Sequence, residues 1–127
     1  MADPVVHFEI IGTNPERLRE YYQALFGWEF ATPSPVAAEV SDADQYGFLD
    51  LIQTDDGAGI RGGLGGGADF TPHAMFYVGV AGVGVALERA EALGGTRLMD
   101  PVTSPNGLVV AHFRDPEGTV IGLAGPA

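Results

Sequence analysis

Pro4-Val5-Val6-His7-Phe8-Glu9-Ile10-Ile11 and Ala74-Met75-Phe76-Tyr77-Val78-Gly79-Val80 are β-rich stretches that fall into register when the chain is slid along itself by 68 positions, with His7-Phe8 landing on Met75-Phe76. The same shift sets Ala24-Leu25-Phe26-Gly27 on Ala92-Leu93-Gly94-Gly95 and Phe30 on Leu98. Working outward from the first stretch, Thr13-Asn14-Pro15-Glu16 supplies a capping side chain, a proline in the first turn and an acid near the positive helix end. Leu18, Tyr21, Tyr22, Leu25 and Phe26 then recur at helical spacing, and Gly27 offers a left-handed stop. Trp28-Glu29-Phe30 starts the next strand, Ala38 to Val40 is a candidate short edge strand in a loop from Pro33 to Asp44, and Tyr46 to Ile52 and Gly59 to Leu64 are two further strands. The turn Thr54-Asp55-Asp56-Gly57 separates them.

The second half repeats the order. After the strand at Ala74 to Val80, a helix runs from Val83 to Leu93 and stops at Gly94-Gly95. Arg97-Leu98-Met99 begins another strand, and Leu108 to Phe113 and Thr119 to Leu123 form a hairpin across Asp115-Pro116-Glu117-Gly118, with Pro second and Gly fourth in the turn. The chain therefore reads as a duplicated βαβββ unit, unit one at about 4–67 and unit two at about 73–125, in a single domain over 1–127. Asp69-Phe70-Thr71-Pro72 is the joint between the units, preceded by a run of glycines from Gly62 to Gly67.

Composition bounds the function. The 127 residues suit one domain, and surface scaling gives about 6,500 Å² exposed after folding against roughly 19,000 Å² for the extended chain. Cysteine is absent, which excludes disulfide scaffolds, thiol nucleophiles and thiolate metal sites. Seventeen acidic residues against six arginines give a net charge of −11, so neither nucleic acid nor an anionic membrane surface is an expected partner. No apolar run reaches the ~18 residues of a membrane span, no basic segment precedes an apolar leader, and a cytoplasmic location is the expectation. The glycine run lacks the Lys and Ser or Thr of a phosphate loop, and Ser34, Ser41 and Ser104 sit beside proline or acid with no nucleophile elbow.

A strand carrying His7, a helix of the Arg17-Leu18-Arg19-Glu20-Tyr21-Tyr22 type and Leu25-Phe26-Gly27-Trp28-Glu29-Phe30 resemble the vicinal oxygen chelate superfamily of glyoxalases, bleomycin-resistance proteins and extradiol dioxygenases. The Tyr77-Val78-Gly79-Val80 strand, the helix ending at Leu93-Gly94-Gly95 and Asp115-Pro116-Glu117-Gly118-Thr119-Val120-Ile121-Gly122-Leu123 resemble its second half. The resemblance implies an α+β fold in which two βαβββ units form paired half-barrels around a cavity, usually in a homodimer. One such fold hosts many chemistries.

Metal-dependent members of that family place one His, Gln or Glu ligand on the first strand and one on the last strand of each unit. His7 holds the first of these positions, Met75 its counterpart in unit two, Gly122 the last strand of unit two, and the Arg61-Gly62 neighbourhood the last strand of unit one. One position of four carries a hard ligand, so no metal cofactor is expected. A relocated site drawn from His7, Glu9, His73 and His112 is the arrangement that would hold one.

Strand alternation sets His7, Glu9 and Ile11 on one face and Val6, Phe8 and Ile10 on the other. The apolar set should pack under the helix, leaving His7 and Glu9 toward the cavity, and likewise Met75 and Tyr77, with Phe76 and Val78 in the core. Ala111 and Phe113 read as core, which turns Val110 and His112 to the cavity. His73 reads as a turn residue, and Trp28, Tyr22 and Phe26 as helix-to-sheet packing. Arg61, the basic residue expected near the cavity mouth, would pair with an anionic ligand or, more simply, with Asp55 or Asp56. The expected function is binding of a small, partly apolar, neutral or cationic molecule by His7, Glu9, Met75, Tyr77, His112 and Arg61, with Phe48 on the wall. The alternative is a metal-dependent lyase, isomerase or dioxygenase built around His7.

Overall fold

In the computed structural model, which describes residues 2–127, the element order is β1 (Val5–Gly12), α1 (Pro15–Phe26), β2 (Phe30–Ala31), β3 (Gly47–Leu49), β4 (Arg61–Gly66), β5 (His73–Gly79), α2 (Val83–Ala92), β6 (Thr96–Thr103), β7 (Leu108–Arg114) and β8 (Val120–Pro126). The fold class is α+β, and βαβββ occurs twice. The chain separates into two compact units, His7–Ala74 and the residues before His7 together with Met75–Ala127.

In the first of these, the strand order is β2-β3-β4-β1. β4 lies parallel to β1 and the other pairs are antiparallel. Asn14 caps α1 by accepting from the Arg17 N–H at 3.2 Å. Gly27, at φ 74°, closes it with its N–H on the Gln23 carbonyl, where a side chain would be strained.

The other unit repeats this order as β5-β8-β7-β6, with β8 parallel to β5. Val83, Leu87, Ala111 and Leu123 form its buried core, with Val78, Val80, Val109 and Phe113 packed around them. Leu87 is fully buried, so Leu87→Ala is expected to cost about 2–5 kcal/mol. Chemical denaturation would show this as a lower midpoint at unchanged slope. The β7–β8 turn closes with the Gly118 N–H on the Asp115 carbonyl at 2.9 Å, and Asp115 Oδ1 accepts from the N–H groups of Glu117 and Thr119.

Several elements differ from the sequence reading. β4 runs from Arg61 through the glycines to Gly66, two residues later at each end than the Gly59 to Leu64 strand read from the sequence. At Gly62, Gly63 and Gly65 the rings of Phe8 and Tyr46 fill the space a Cβ would take, and at Gly66 the Gly12 backbone closes it. β2 and β3 are shorter than expected, and Ala38 to Val40 is a turn with the Val40 N–H on the Ala37 carbonyl. His73 opens β5 instead of sitting in the preceding turn.

The alternation of β1 and β5 is as read, but the depth of burial is not. Glu9 and Ile11 are each 2% exposed and Met75 and Tyr77 are buried, whereas Val6 and Phe76 are each 39% exposed. The cause on the first side is thin helix cover. Pro15 is the only residue buried on α1, and the rings of Tyr22, Phe26, Trp28 and Phe8 pack on one another, stacked or tilted, at 5.0–6.0 Å while Tyr21, Leu25 and Phe26 stay more than half exposed. The chain accordingly exposes 7552 Å², above the about 6,500 Å² that scaling gives for its mass.

Candidate functional site

The expected site residues divide between the two units. In His7–Ala74, β1 carries His7 and Glu9 on one face, and Tyr46, the residue before β3, lies across them. The Tyr46 hydroxyl donates to Glu9 Oε1 at 3.0 Å, and His7 Nε2 is 2.9 Å from the same Tyr46 oxygen. A hydroxyl has one proton to give. With that proton on the bond to Glu9, the contact between His7 and Tyr46 requires the Nε2–H tautomer, which donates to the hydroxyl oxygen. Phe48, on β3, sets its ring edge-on to both His7 (5.8 Å) and Tyr46 (5.2 Å). Burial of the imidazole lowers the His7 pKa from 6.5 to about 4, because the charged form loses its hydration. His7 is thus neutral across the physiological range.

In the other unit, β5 carries Tyr77 and β7 carries His112, with the Tyr77 hydroxyl 2.8 Å from His112 Nε2. Each unit therefore holds a tyrosine–imidazole hydrogen bond, with the strands exchanged. The imidazole is on the first strand in one unit, and the tyrosine is on the first strand in the other. Met75 lies beside this pair on β5, buried. His73, at the start of β5, is exposed and turns Nδ1 to the Thr71 carbonyl at 2.7 Å.

Arg61 is exposed at the start of β4, opposite His7 in the parallel register. The expected ion pair to Asp55 or Asp56 does not form. Among the described residues both ion pairs belong to Arg97, with Glu91 and Asp100. Asp56 instead accepts from the Thr54 hydroxyl within its own turn, a local bond that suits a short side chain in a tight turn. A surface groove of about 250 Å³ lies along Pro33–Val36 and Asp42–Asp44, and none of the expected site residues lines it.

Tyr46 is the residue that sequence reading missed. It is 1% exposed and joins His7 to Glu9. The only trace of it in the sequence is indirect. A strand bare of side chains at Gly63 and Gly65 needs a large ring from elsewhere to fill the space.

The register locates the four family ligand positions. Glu9 pairs with Gly63 on β4, and Tyr77 pairs with Gly122 on β8. Since the 68-position shift equates Glu9 with Tyr77, Gly63 is the counterpart of Gly122, which refines the Arg61-Gly62 neighbourhood to one residue. The four positions hold His7, Met75, Gly63 and Gly122. They supply one imidazole, that of His7, whose Nε2 bonds to Tyr46. This donor set does not fit a divalent ion, which normally takes three or more protein ligands. Among the described residues, no group of three or more His, Asp or Glu is placed to hold a metal ion, and no helix is long and apolar enough to cross a membrane.

Solved structures share the fold. A Streptomyces coelicolor methylmalonyl-CoA epimerase variant in complex with 2-nitronate-propionyl-CoA is 19% identical with a TM-score of 0.72, covering 100% of this chain and 96% of that one. Methylmalonyl-CoA epimerase from Mycobacterium tuberculosis is 14% identical with a TM-score of 0.63, covering 97% and 87%. A hypothetical protein from Bacillus halodurans C-125 is 13% identical with a TM-score of 0.68, covering 100% and 96%. Likeness at these identities establishes the fold alone, and no curated protein matches. The model of the Glyoxalase/Bleomycin resistance protein/Dioxygenase superfamily matches residues 5–123, nearly the whole chain, and the chain belongs to that superfamily.

Proposed function

We propose that this chain binds a small, partly apolar molecule, neutral or cationic, without a metal ion. The observation that carries this reading is the state of His7. It is the one hard donor left at the four ligand positions, and its Nε2 is committed to Tyr46. What remains beside it is a carboxylate, Glu9, among the aromatic edges of Tyr46 and Phe48, a setting that favours an apolar body with a cationic or hydrogen-donating tip. Met75, Tyr77, His112 and Arg61 are proposed as further ligand contacts. The excess of acidic residues favours cationic over anionic ligands.

Thermal-shift screening of neutral and cationic heteroaromatic compounds in the presence of a chelator tests this. Binders should raise the melting temperature with the chelator present. Glu9→Gln should weaken the cationic ones by about tenfold or more, the scale of one lost charge-assisted hydrogen bond. Binding that appears only on adding zinc, nickel, cobalt or manganese would favour the metal-dependent lyase, isomerase or dioxygenase instead.

The chain is further proposed to act as a twofold homodimer, the commonest closed assembly. The exposed Tyr21, Leu25 and Phe26 of α1 are apolar surface that such pairing would cover. Light scattering should give twice the 13.3 kDa chain mass. A concentration-independent mass of one chain would contradict it.

A further inference from the structure

Gly63, Gly65 and Gly122 share a feature that backbone geometry does not explain. The glycines of this chain that need a left-handed or related backbone include Gly27, Gly57, Gly66 and Gly118, all at positive φ, and these three are not among them. They sit in ordinary strand conformation, which any residue adopts. What excludes a side chain there is a ring. A Cβ at Gly63 would overlap Oη, Cε1 and Cζ of Tyr46, and one at Gly65 would lie 2.6 Å from Tyr46 Cδ2 and 2.7 Å from Ser41 Oγ. At Gly122 it would lie 2.6 Å from Tyr77 Cε2 and still closer to Cδ2.

Neither ring can step aside. Tyr46 is 1% and Tyr77 4% exposed, and their hydroxyls are tied to Glu9 and His7 in one case and to His112 in the other. The two tyrosines also arrive differently, Tyr46 from the residue before β3 and Tyr77 from β5, yet each covers the equivalent glycine of its unit.

We infer that Tyr46–Gly63 and Tyr77–Gly122 are coupled pairs that close the chain to metal, each ring occupying the space that a ligating side chain on the last strand would need. A Glu or Gln at either glycine would overlap the ring of its tyrosine. The inference extends the metal-free reading proposed above, and its test reads packing instead of ligand binding, so either can fail without the other.

The test is a double-mutant cycle on Gly122 and Tyr77, measured by thermal unfolding. An alanine in unstrained strand conformation normally stabilises relative to glycine by restricting the unfolded chain. Against the Tyr77 ring the sign should invert, with Gly122→Ala lowering the melting temperature by about 5 °C or more, the usual scale of overpacking. In a Tyr77→Ala background the same change should leave the melting temperature level or raise it. Gly122→Glu with Tyr77 intact should melt lower still and take up no stoichiometric zinc, nickel, cobalt or manganese. If Gly122→Glu does not fold, the alanine pair decides alone. Gly122→Ala raising the melting temperature in both backgrounds would overturn the inference, as would a folded Gly122→Glu chain that binds one ion with Tyr77 in place. The same cycle on Gly63 and Tyr46 should give the same signs.

Discussion

Replacing Tyr46 with alanine is expected to destabilise the chain by about 3–5 kcal/mol, the cost of deleting a fully buried aromatic ring. The ring fills the bare face of β4 at Gly63 and Gly65, packs against Phe48 and brings a hydroxyl to Glu9 and His7. Tyr46→Phe separates these contributions. It keeps the ring and removes one donor from a carboxylate that is 2% exposed, which should cost about 1–3 kcal/mol. Denaturant unfolding of both variants measures the difference. Equal stabilities for the two would mean that the ring contributes nothing. A Tyr46→Phe variant as stable as the parent would mean that the hydroxyl does not support Glu9.

The second large effect is acid sensitivity at His7. Burial lowers its folded pKa to about 4, below the 6.5 of the unfolded chain. Between those values the unfolded state binds a proton that the folded state refuses. Stability therefore rises with pH across that window. The His7 contribution is complete above about 6.5 and is lost as pH falls through about 4. The full span amounts to roughly 3 kcal/mol. His7→Gln keeps an N–H to offer Tyr46 but cannot titrate, so its stability should fall less than the parent's over the same range. Parallel pH profiles for parent and variant would refute this assignment.

The parts of the fold legible in the sequence are those set by neighbours in the chain. Asn14 and Gly27 mark both ends of α1 because capping is local, and Asp115 to Gly118 marks its turn for the same reason. Duplication is legible because the paired strands and helix stops recur at one offset. The end of β4 was not legible. A glycine run signals a turn when read locally, which hides the end of the strand, whereas Phe8 on β1 and Tyr46 before β3 supply the bulk that Gly62, Gly63 and Gly65 lack. Tyr46 was hidden for the same reason, since its partner is an absence of side chains distant in sequence. His7 and Glu9 were found by alternation, and His112 and Tyr77 likewise, but which hydroxyl meets which imidazole depends on strand pairing that alternation does not encode. Phe76 and Val6 read as core on polarity alone. Both are 39% exposed.

We propose that this member of the superfamily binds its ligand without a metal ion at the four family positions. The most direct test is metal analysis by plasma mass spectrometry on chain purified from medium supplemented with zinc, nickel, cobalt and manganese, with thermal unfolding before and after adding each ion. Substoichiometric metal and an unchanged melting temperature are expected, because His7 alone, with Nε2 bonded to Tyr46, cannot hold an ion tightly. One tightly held ion per chain, with a melting temperature that rises on loading and a loss of that ion in His7→Gln, would contradict it.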